Sequence, residues 1–364
     1  MKPSTFFLPA YLKALTVMLF IIVLVFTLIV GKGLLVPLFM GGFFAILLTP
    51  LCNFLEKHKV PRTIACLISL LLTIAFTVGL ICFIVGNMVS FSKDFDNVSG
   101  RLSTMAGEID TWTARNLGIY ENLEKRVESI AFKEYLNNNS KSITTFALNA
   151  IGSLSSLVLI PIFMFFLLLY RNHLTQVMVM IYHDKDPELV KSRITSLRKL
   201  IQDYIVGVGK VMVILAILNI IAYSVIGVKH AVFFGLIGAI LNIIPYVGPL
   251  IGVVLPVIYA FLTMDSFIYP LLILGAYQVI QILEGNVLTP KIVGGNVNLN
   301  AFITLLGLLI GAAIWGIAGM ILVIPSLAIL REIFDLSEQT RPFAILLGED
   351  KEEQKKLSKN ESSK

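Results

Sequence analysis

Glu284 is the residue of this sequence best placed to do chemistry, because it closes an apolar run in the pattern Gln278-x-x-Gln281-x-x-Glu284-x-Asn286. Helical spacing sets Gln278, Gln281 and Glu284 along one face. A charged side chain near the centre of a bilayer costs on the order of 2.5–3.5 kcal/mol to insert, so such a face lines a cavity and does not meet lipid. The carboxyl could take up a proton, hold a cation or contact a polar solute. The plainer reading is a Glu284 at the membrane edge, solvated by headgroups or paired with Lys291.

A second set is Asn242, Pro245, Tyr246, Gly248 and Pro249, inside a long apolar stretch. Each proline lacks a backbone donor and frees a carbonyl one turn earlier, while Gly248 lets the chain reverse. Asn242 adds an amide that both donates and accepts. Freed carbonyls and half-helix ends bind polar solutes or cations; a proline kink used for packing is the alternative. Gly316 and Gly319, in Trp315-Gly-Ile-Ala-Gly319, interrupt the last apolar stretch in the same way.

Other chemistries find no support. His58, His173, His183 and His230 sit in loops without metal-ligand spacing, and no glycine loop with a lysine cradles a phosphate. The expectation is a protein that is not an enzyme, with no cofactor and no metal. Cys52, Cys66 and Cys82 match neither a zinc site nor a disulfide framework and read as small core residues. The net charge of +6 comes from basic residues in loops beside apolar spans, which argues for a lipid bilayer as partner and against nucleic acid.

The elements that must position these residues follow from composition. At 57% apolar and 14% charged residues, this 364-residue chain lies outside the soluble range. Spans are expected at 11–30, 33–55, 63–89 and 143–170. Lys57, Lys59 and Arg62 between the second and third, against Lys32 alone between the first and second, place the N-terminus in the cytoplasm. Residues 91–142 form an external insertion with an apolar stripe of Val98, Leu102, Met105, Ile109 and Trp112, packed on a neighbouring helix or on another subunit. Residues 171–204 are basic and cytoplasmic. There Asp186 caps a helix starting at Pro187, and Val190, Ile194, Leu197, Ile201 and Tyr204 predict an amphipathic linker along the membrane surface.

Ordinary spans at 206–226 and 266–283 are each followed by a longer apolar stretch, 231–263 and 301–331, with breakers near its middle. We read helix, broken hairpin, helix, broken hairpin: an internal repeat whose copies, if each hairpin enters and leaves on one side, are inverted. The competing reading is a single kinked span for each stretch. The organisation is therefore 1–90 with three spans, 91–142 outside, 143–205 with the fourth span and linker, 206–331 as core, and 332–364 as a cytoplasmic tail. In all, about eight transmembrane segments of an all-α protein are expected. The spacings Gly307 to Gly311 and Gly248 to Gly252 allow close helix packing.

The runs Ile243-Ile-Pro-Tyr-Val-Gly-Pro249, Gln281-x-x-Glu284-x-Asn286 leading to Pro290-Lys-Ile-Val-Gly294, and Gly311-x-x-x-Trp-Gly316-Ile-x-Gly319 up to Pro325 resemble the autoinducer-2 exporter, or permease-like, family. The resemblance implies a homo-oligomer in a prokaryotic inner membrane that exports a solute, with a quorum-signal furanone assigned to some members and sodium or lithium exchange for protons to others. Three functions stay open on the residues: an exporter of a small organic solute with its site between the broken hairpins and the 278–284 face, a Na+(Li+)/H+ antiporter using Glu284, and a non-transporting scaffold built on the external insertion.

Overall fold

A computed structural model describes residues 9–94, 107, 110–111, 114–115, 154–181, 187–293, 299–335 and 338–348. Every regular element among them is helical, apart from one isolated antiparallel bridge between Leu299 and Gly348. The all-α expectation therefore holds. The stripe expected over 98–112, its partner helix and the cap at Asp186 lie outside the described residues.

The helices are α1 (Ala10–Val30), α2 (Lys32–Lys57), α3 (Arg62–Asp94), α4 (Leu154–Leu169), α5 (Arg171–Ile181), α6 (Pro187–Ile226), α7 (Ala231–Leu241), α8 (Val247–Thr263) and α9 (Ile268–Leu283). A π-turn over Glu284–Leu288 leads into α10 (Thr289–Ile292), followed by α11 (Ala301–Asp335) and α12 (Arg341–Leu347). By length and composition five of these helical stretches can cross a membrane, or six if α4 and α5, bent by 68°, count as one. Shorter apolar helices among the described residues are Ala14–Val30, α7 and α8. At 1.5 Å per residue, the 11 residues of α7 reach only about 16 Å, half of a ~30 Å hydrocarbon layer.

The expected surface linker at 187–204 is a different object. No breaker separates it from the span that follows, and α6 runs as one helix of 40 residues. Gly207 and Gly209 each cost only about 1 kcal/mol against alanine and do not interrupt it. The stripe through Ile194, Leu197 and Ile201 continues as Ile205, Val211, Leu215, Asn219 and Tyr223, all inward-facing. Thus the amphipathic segment is continuous with the apolar helix that follows it.

The chain divides into two compact units. One comprises Pro50–Ser155 and Arg198–Val297. Its core gathers Tyr223, Phe233, Phe234, Tyr259, Ala260 and Ile273 from α6, α7, α8 and α9. Here α2 and α3 touch through Cys52, Ala65, Cys66 and Ser69, all fully buried, with Cys52 Sγ 3.2 Å from Ser69 Oγ. Two cysteines are the small core residues expected, whereas Cys82 is exposed on the apolar surface of α3. Within this unit α7 and α8 fold back on each other: a methyl built on Gly252 would lie 3.1 Å from the Gly238 Cα, and one on Gly248 only 1.7 Å from the Leu241 carbonyl oxygen.

The other unit comprises Met1–Thr49, Ser156–Leu197 and Asn298–Lys364. Its helix α11 is also a hairpin. On one straight helix Gly307 and Leu327 would stand about 30 Å apart. Instead, a methyl on Gly307 would meet the Leu327 side chain at 2.9 Å, and one on Gly319 would lie 2.0 Å from the Gly311 carbonyl oxygen. The reversal is at Gly316, whose φ 60, ψ −136 is close to the first central position of a type II′ turn. Both arms begin and end at one place, since the Asn300 N–H bonds the Leu347 carbonyl at 2.8 Å and Gly348 lies beside Arg331. Within each of the stretches 231–263 and 301–331 the backbone turns back on itself.

Large apolar side chains cover the outside of these helices, among them Phe20, Phe26 and Val30 of α1 and Leu71, Phe76 and Val78 of α3, each more than half exposed. In water such apolar helix surfaces would aggregate; against lipid they are the ordinary exterior.

Candidate functional site

The first hairpin's break spans Asn242 to Tyr246. Pro249 cannot donate, so the Pro245 carbonyl has no helical partner and instead accepts the Val247 N–H at 2.7 Å. That two-residue closure is a γ-turn centred on Tyr246, at φ 65 and ψ −50, a rare conformation for a residue with a side chain. Tyr246 is 70% exposed, so its ring supplies no packing to hold the strain. Strained backbone of this kind collects at ligand clamps and switches. Gly248 is buried, Pro245 and Pro249 are half-buried, and the half-buried amide of Asn242 makes no side-chain hydrogen bond among the described residues.

Helix α9 faces this break. The Tyr277 hydroxyl donates to the Pro249 carbonyl at 2.7 Å, and Gln281 Nε2 donates to the Tyr277 oxygen at 2.9 Å. Gly252 leaves room for the phenol: its missing methyl would lie 3.7 Å from that oxygen. Two turns along, Glu284 accepts a hydrogen bond from the Thr289 hydroxyl across the π-turn. The π-turn opens the helix at this point, a feature frequent at functional sites. Residues 277, 281 and 284 share one face, four and three apart.

The expected residues divide accordingly. Gln281 and Glu284 are on the face as read, but Glu284 takes Thr289 and not Lys291. Gln278 is exposed, displaced around the helix from Gln281. Asn286 is spent on its own helix, its Nδ2 bonding the Ile282 carbonyl at 2.9 Å. Gly316 and Gly319 belong to the other unit, where they form the tip and the closing contact of the second hairpin.

Sequence reasoning missed Tyr277, although it lies four residues before Gln281 on the same stripe; counting phenols with amides would have found it. It also missed Asn219. That side chain is only 3% exposed, two turns before the end of α6, and its Oδ1 has no hydrogen-bond partner among the described residues. Buried polar atoms are nearly always paired, so an orphaned acceptor inside an apolar helix is the kind of group a water or a solute satisfies.

A third group sits beyond the apolar stretch Arg62–Asn87, at the end of α3. Asp94 receives Lys229 Nζ at 2.5 Å, His230 Nε2 at 2.7 Å and the Tyr259 hydroxyl at 2.9 Å. Burial alone would raise this carboxyl, but hydrogen bonds from Lys229, His230 and Tyr259 outweigh it and hold it down to about 2. His230 is therefore a partner of Asp94 and not a stray loop histidine.

Removing the Tyr277 hydroxyl tests the first group. Tyr277→Phe leaves the Pro249 carbonyl and the Gln281 amide without their shared partner, and should cost about 1–3 kcal/mol for each buried group left unpaired. Thermal unfolding in detergent should show the loss, and adding Gln281→Leu should recover part of it. A Tyr277→Phe protein as stable as the parent would mean that the hydroxyl is solvated.

Comparison with known proteins shows the family to which these features belong. The profile of the AI-2E family transporter matches residues 16–339. The chain is 28% identical to YueF of Bacillus subtilis (strain 168) over 320 residues, covering 82% of each protein. It is 26% identical to YrrI of the same organism, over 83% of this chain and 86% of the relative. With the AI-2 transport protein TqsA of Escherichia coli (strain K12) it shares 22% identity, over 87% of this chain and 90% of that protein.

Proposed function

This chain belongs to the AI-2E transporter family, and we propose that it is a secondary transporter exporting a small organic solute across the bacterial plasma membrane. That it is a multi-pass membrane protein of a transporter family is the premise; substrate class and direction are the proposal. The observation that carries it is the coupling of the strained break at Tyr246 to a polar helix face through Tyr277 and Gln281. A solute that replaces either hydrogen bond acts on the hairpin directly, and binding energy spent there shifts the hairpin between arrangements.

The proposal places both termini in the cytoplasm, and for the C-terminus one contact supports it. Arg193, in the basic N-terminal part of α6, lies 3.7 Å from Glu332 at the end of α11. That pair supports placing 171–204 and the C-terminal part on one side, which the charge distribution makes the inside. Uptake into everted vesicles is the test: with the purified protein reconstituted, a transported solute should accumulate only under an imposed proton or sodium gradient. No gradient-dependent accumulation of any solute in a panel of small polar metabolites would end the reading.

Glu284 favours a second reading, exchange of Na+ or Li+ for H+. A carboxyl beside a hydroxyl, on a helix opened by a π-turn, offers oxygen ligands and a proton site in one place. For that reading Glu284→Gln should lower sodium-driven proton movement by about tenfold or more, the loss of about 1.4 kcal/mol of ion binding. Unchanged exchange removes Glu284 from the mechanism.

A further inference from the structure

The tip of the second hairpin carries a separate feature. A cavity of about 480 Å³ opens where the α1–α2 junction meets the reversal at Gly316, lined by Lys32, Val36, Pro37, Ile314, Trp315 and Gly316 among others. That is within the size range of small-molecule pockets, roughly 300–1,000 Å³. All of these residues belong to one compact unit.

One wall is fixed. The carbonyls at the end of α1 have no further helical donors, and the Trp315 indole N–H bonds one of them, that of Leu28, at 2.9 Å. The indole ring is held again by Phe39, 5.5 Å away between centroids. Trp315 therefore presents a rigid aromatic surface, placed by the Gly316 turn that only glycine adopts without strain.

The second wall brings a charge. Lys32 is the one ionisable residue lining the cavity, and it has no ion pair among the described residues. Lys32 is the first residue of α2. A pocket of apolar and aromatic walls with a single uncompensated cation complements one class of ligand, a small organic monoanion with an apolar body. A cation would be repelled, and a neutral molecule would gain nothing from the charge.

We propose that this cavity binds a small carboxylate, its carboxylate on the Lys32 ammonium and its apolar body between Trp315, Pro37 and Ile314. The site lies apart from the Tyr277 face and stands whether or not that face carries a solute. Dispersion against a fixed indole and one charge-assisted hydrogen bond predict weak binding, with Kd on the order of millimolar.

Trp315 is its own reporter, because Trp112 is the only other tryptophan. In purified full-length Trp112→Phe protein, titration with benzoate should change the Trp315 emission saturably, while benzamide and benzylammonium at matched concentration should not. Lys32→Gln should weaken benzoate about tenfold, with Lys32→Arg close to the parent, since either cation answers a carboxylate. Lys32 is exposed, and unchanged thermal unfolding of both variants confirms intact folding. Equal responses to the three probes, no saturable response, or a Lys32→Gln protein that binds as the parent does would overturn the proposal. So would binding seen in phosphatidylcholine nanodiscs and abolished in phosphatidylglycerol ones, which would assign the cation to lipid headgroups. Because the readout is binding and not flux, carriage can fail while this site stands, and the reverse.

Discussion

Gly248→Ala is expected to yield no monodisperse folded protein in detergent, while Gly275→Ala purifies and unfolds like the parent. The added methyl at 248 would sit 1.7 Å from the Leu241 carbonyl oxygen and 2.4 Å from its carbon. Both are backbone atoms, so no rotamer change relieves the contact. Either the α7–α8 hairpin opens, breaking the Tyr277 bond to Pro249, or the γ-turn at Tyr246 is lost. Overpacking by one methyl already costs about 1–3 kcal/mol where side chains can move, and more is expected where they cannot. Gly275 is the control because a methyl there meets nothing within 4 Å, and alanine gains up to about 1 kcal/mol of helix propensity over glycine. Size-exclusion profiles and thermal unfolding decide it. A well-folded Gly248→Ala protein would mean that α7 and α8 do not close on each other as described. Gly319→Ala meets the same obstacle in the second hairpin, 2.0 Å from the Gly311 carbonyl oxygen.

Both hairpins are legible in the sequence because their signal is local. Prolines and glycines near the middle of runs too long for one crossing report on the backbone of the residues that bear them, and the reversals come at Tyr246 and Gly316, close to where the breakers stand. Glycine spacing by itself says only that close packing is permitted. The structure shows which partners the glycines meet, Gly238 with Gly252 and Gly311 with Gly319, each across a hairpin. The continuity of α6 is hidden because a change in hydropathy looks like an element boundary. Polar residues on one side of a helix mark where it leaves the membrane, not where it ends.

The site is half legible for a different reason. Glu284 and Gln281 stand out in an apolar run because charge and amide are costly there. Tyr277 is hidden, since a tyrosine in a membrane helix looks like a hydrophobe until its hydroxyl is given a partner. Asp94 is wholly hidden. Its partners Lys229, His230 and Tyr259 are more than a hundred residues away in sequence, and no periodicity links a residue at the end of one helix to a turn between two others. The same holds for the Lys32 cavity, whose two walls come from opposite ends of the chain.

Asp94→Asn should therefore destabilise the protein at neutral pH and remove a pH dependence that the parent shows in acid. The carboxyl is 15% exposed, and its three donors hold it at about 2 against an ordinary value of 3.8. A carboxyl lowered on folding stabilises the native state wherever it is ionised in both states. This contribution is complete above about pH 4, falls as pH drops through the interval between 3.8 and 2, and is gone below it. It amounts to about 2 kcal/mol, since each tenfold change in proton affinity between the folded and unfolded chain is worth about 1.4 kcal/mol. Asparagine keeps the size but replaces one acceptor oxygen by an NH2 that faces donors, and it leaves the Lys229 ammonium without its counter-charge. Thermal unfolding of parent and variant should be followed in detergent from pH 7 to pH 2. The parent should lose its advantage between pH 4 and 2 while the two curves converge, because other carboxylates titrate alike in both proteins and cancel in the difference. Curves that stay parallel through that window would show that Asp94 is not ionised against Lys229 and His230, and the tie between the end of α3 and the base of the first hairpin would have to be given up.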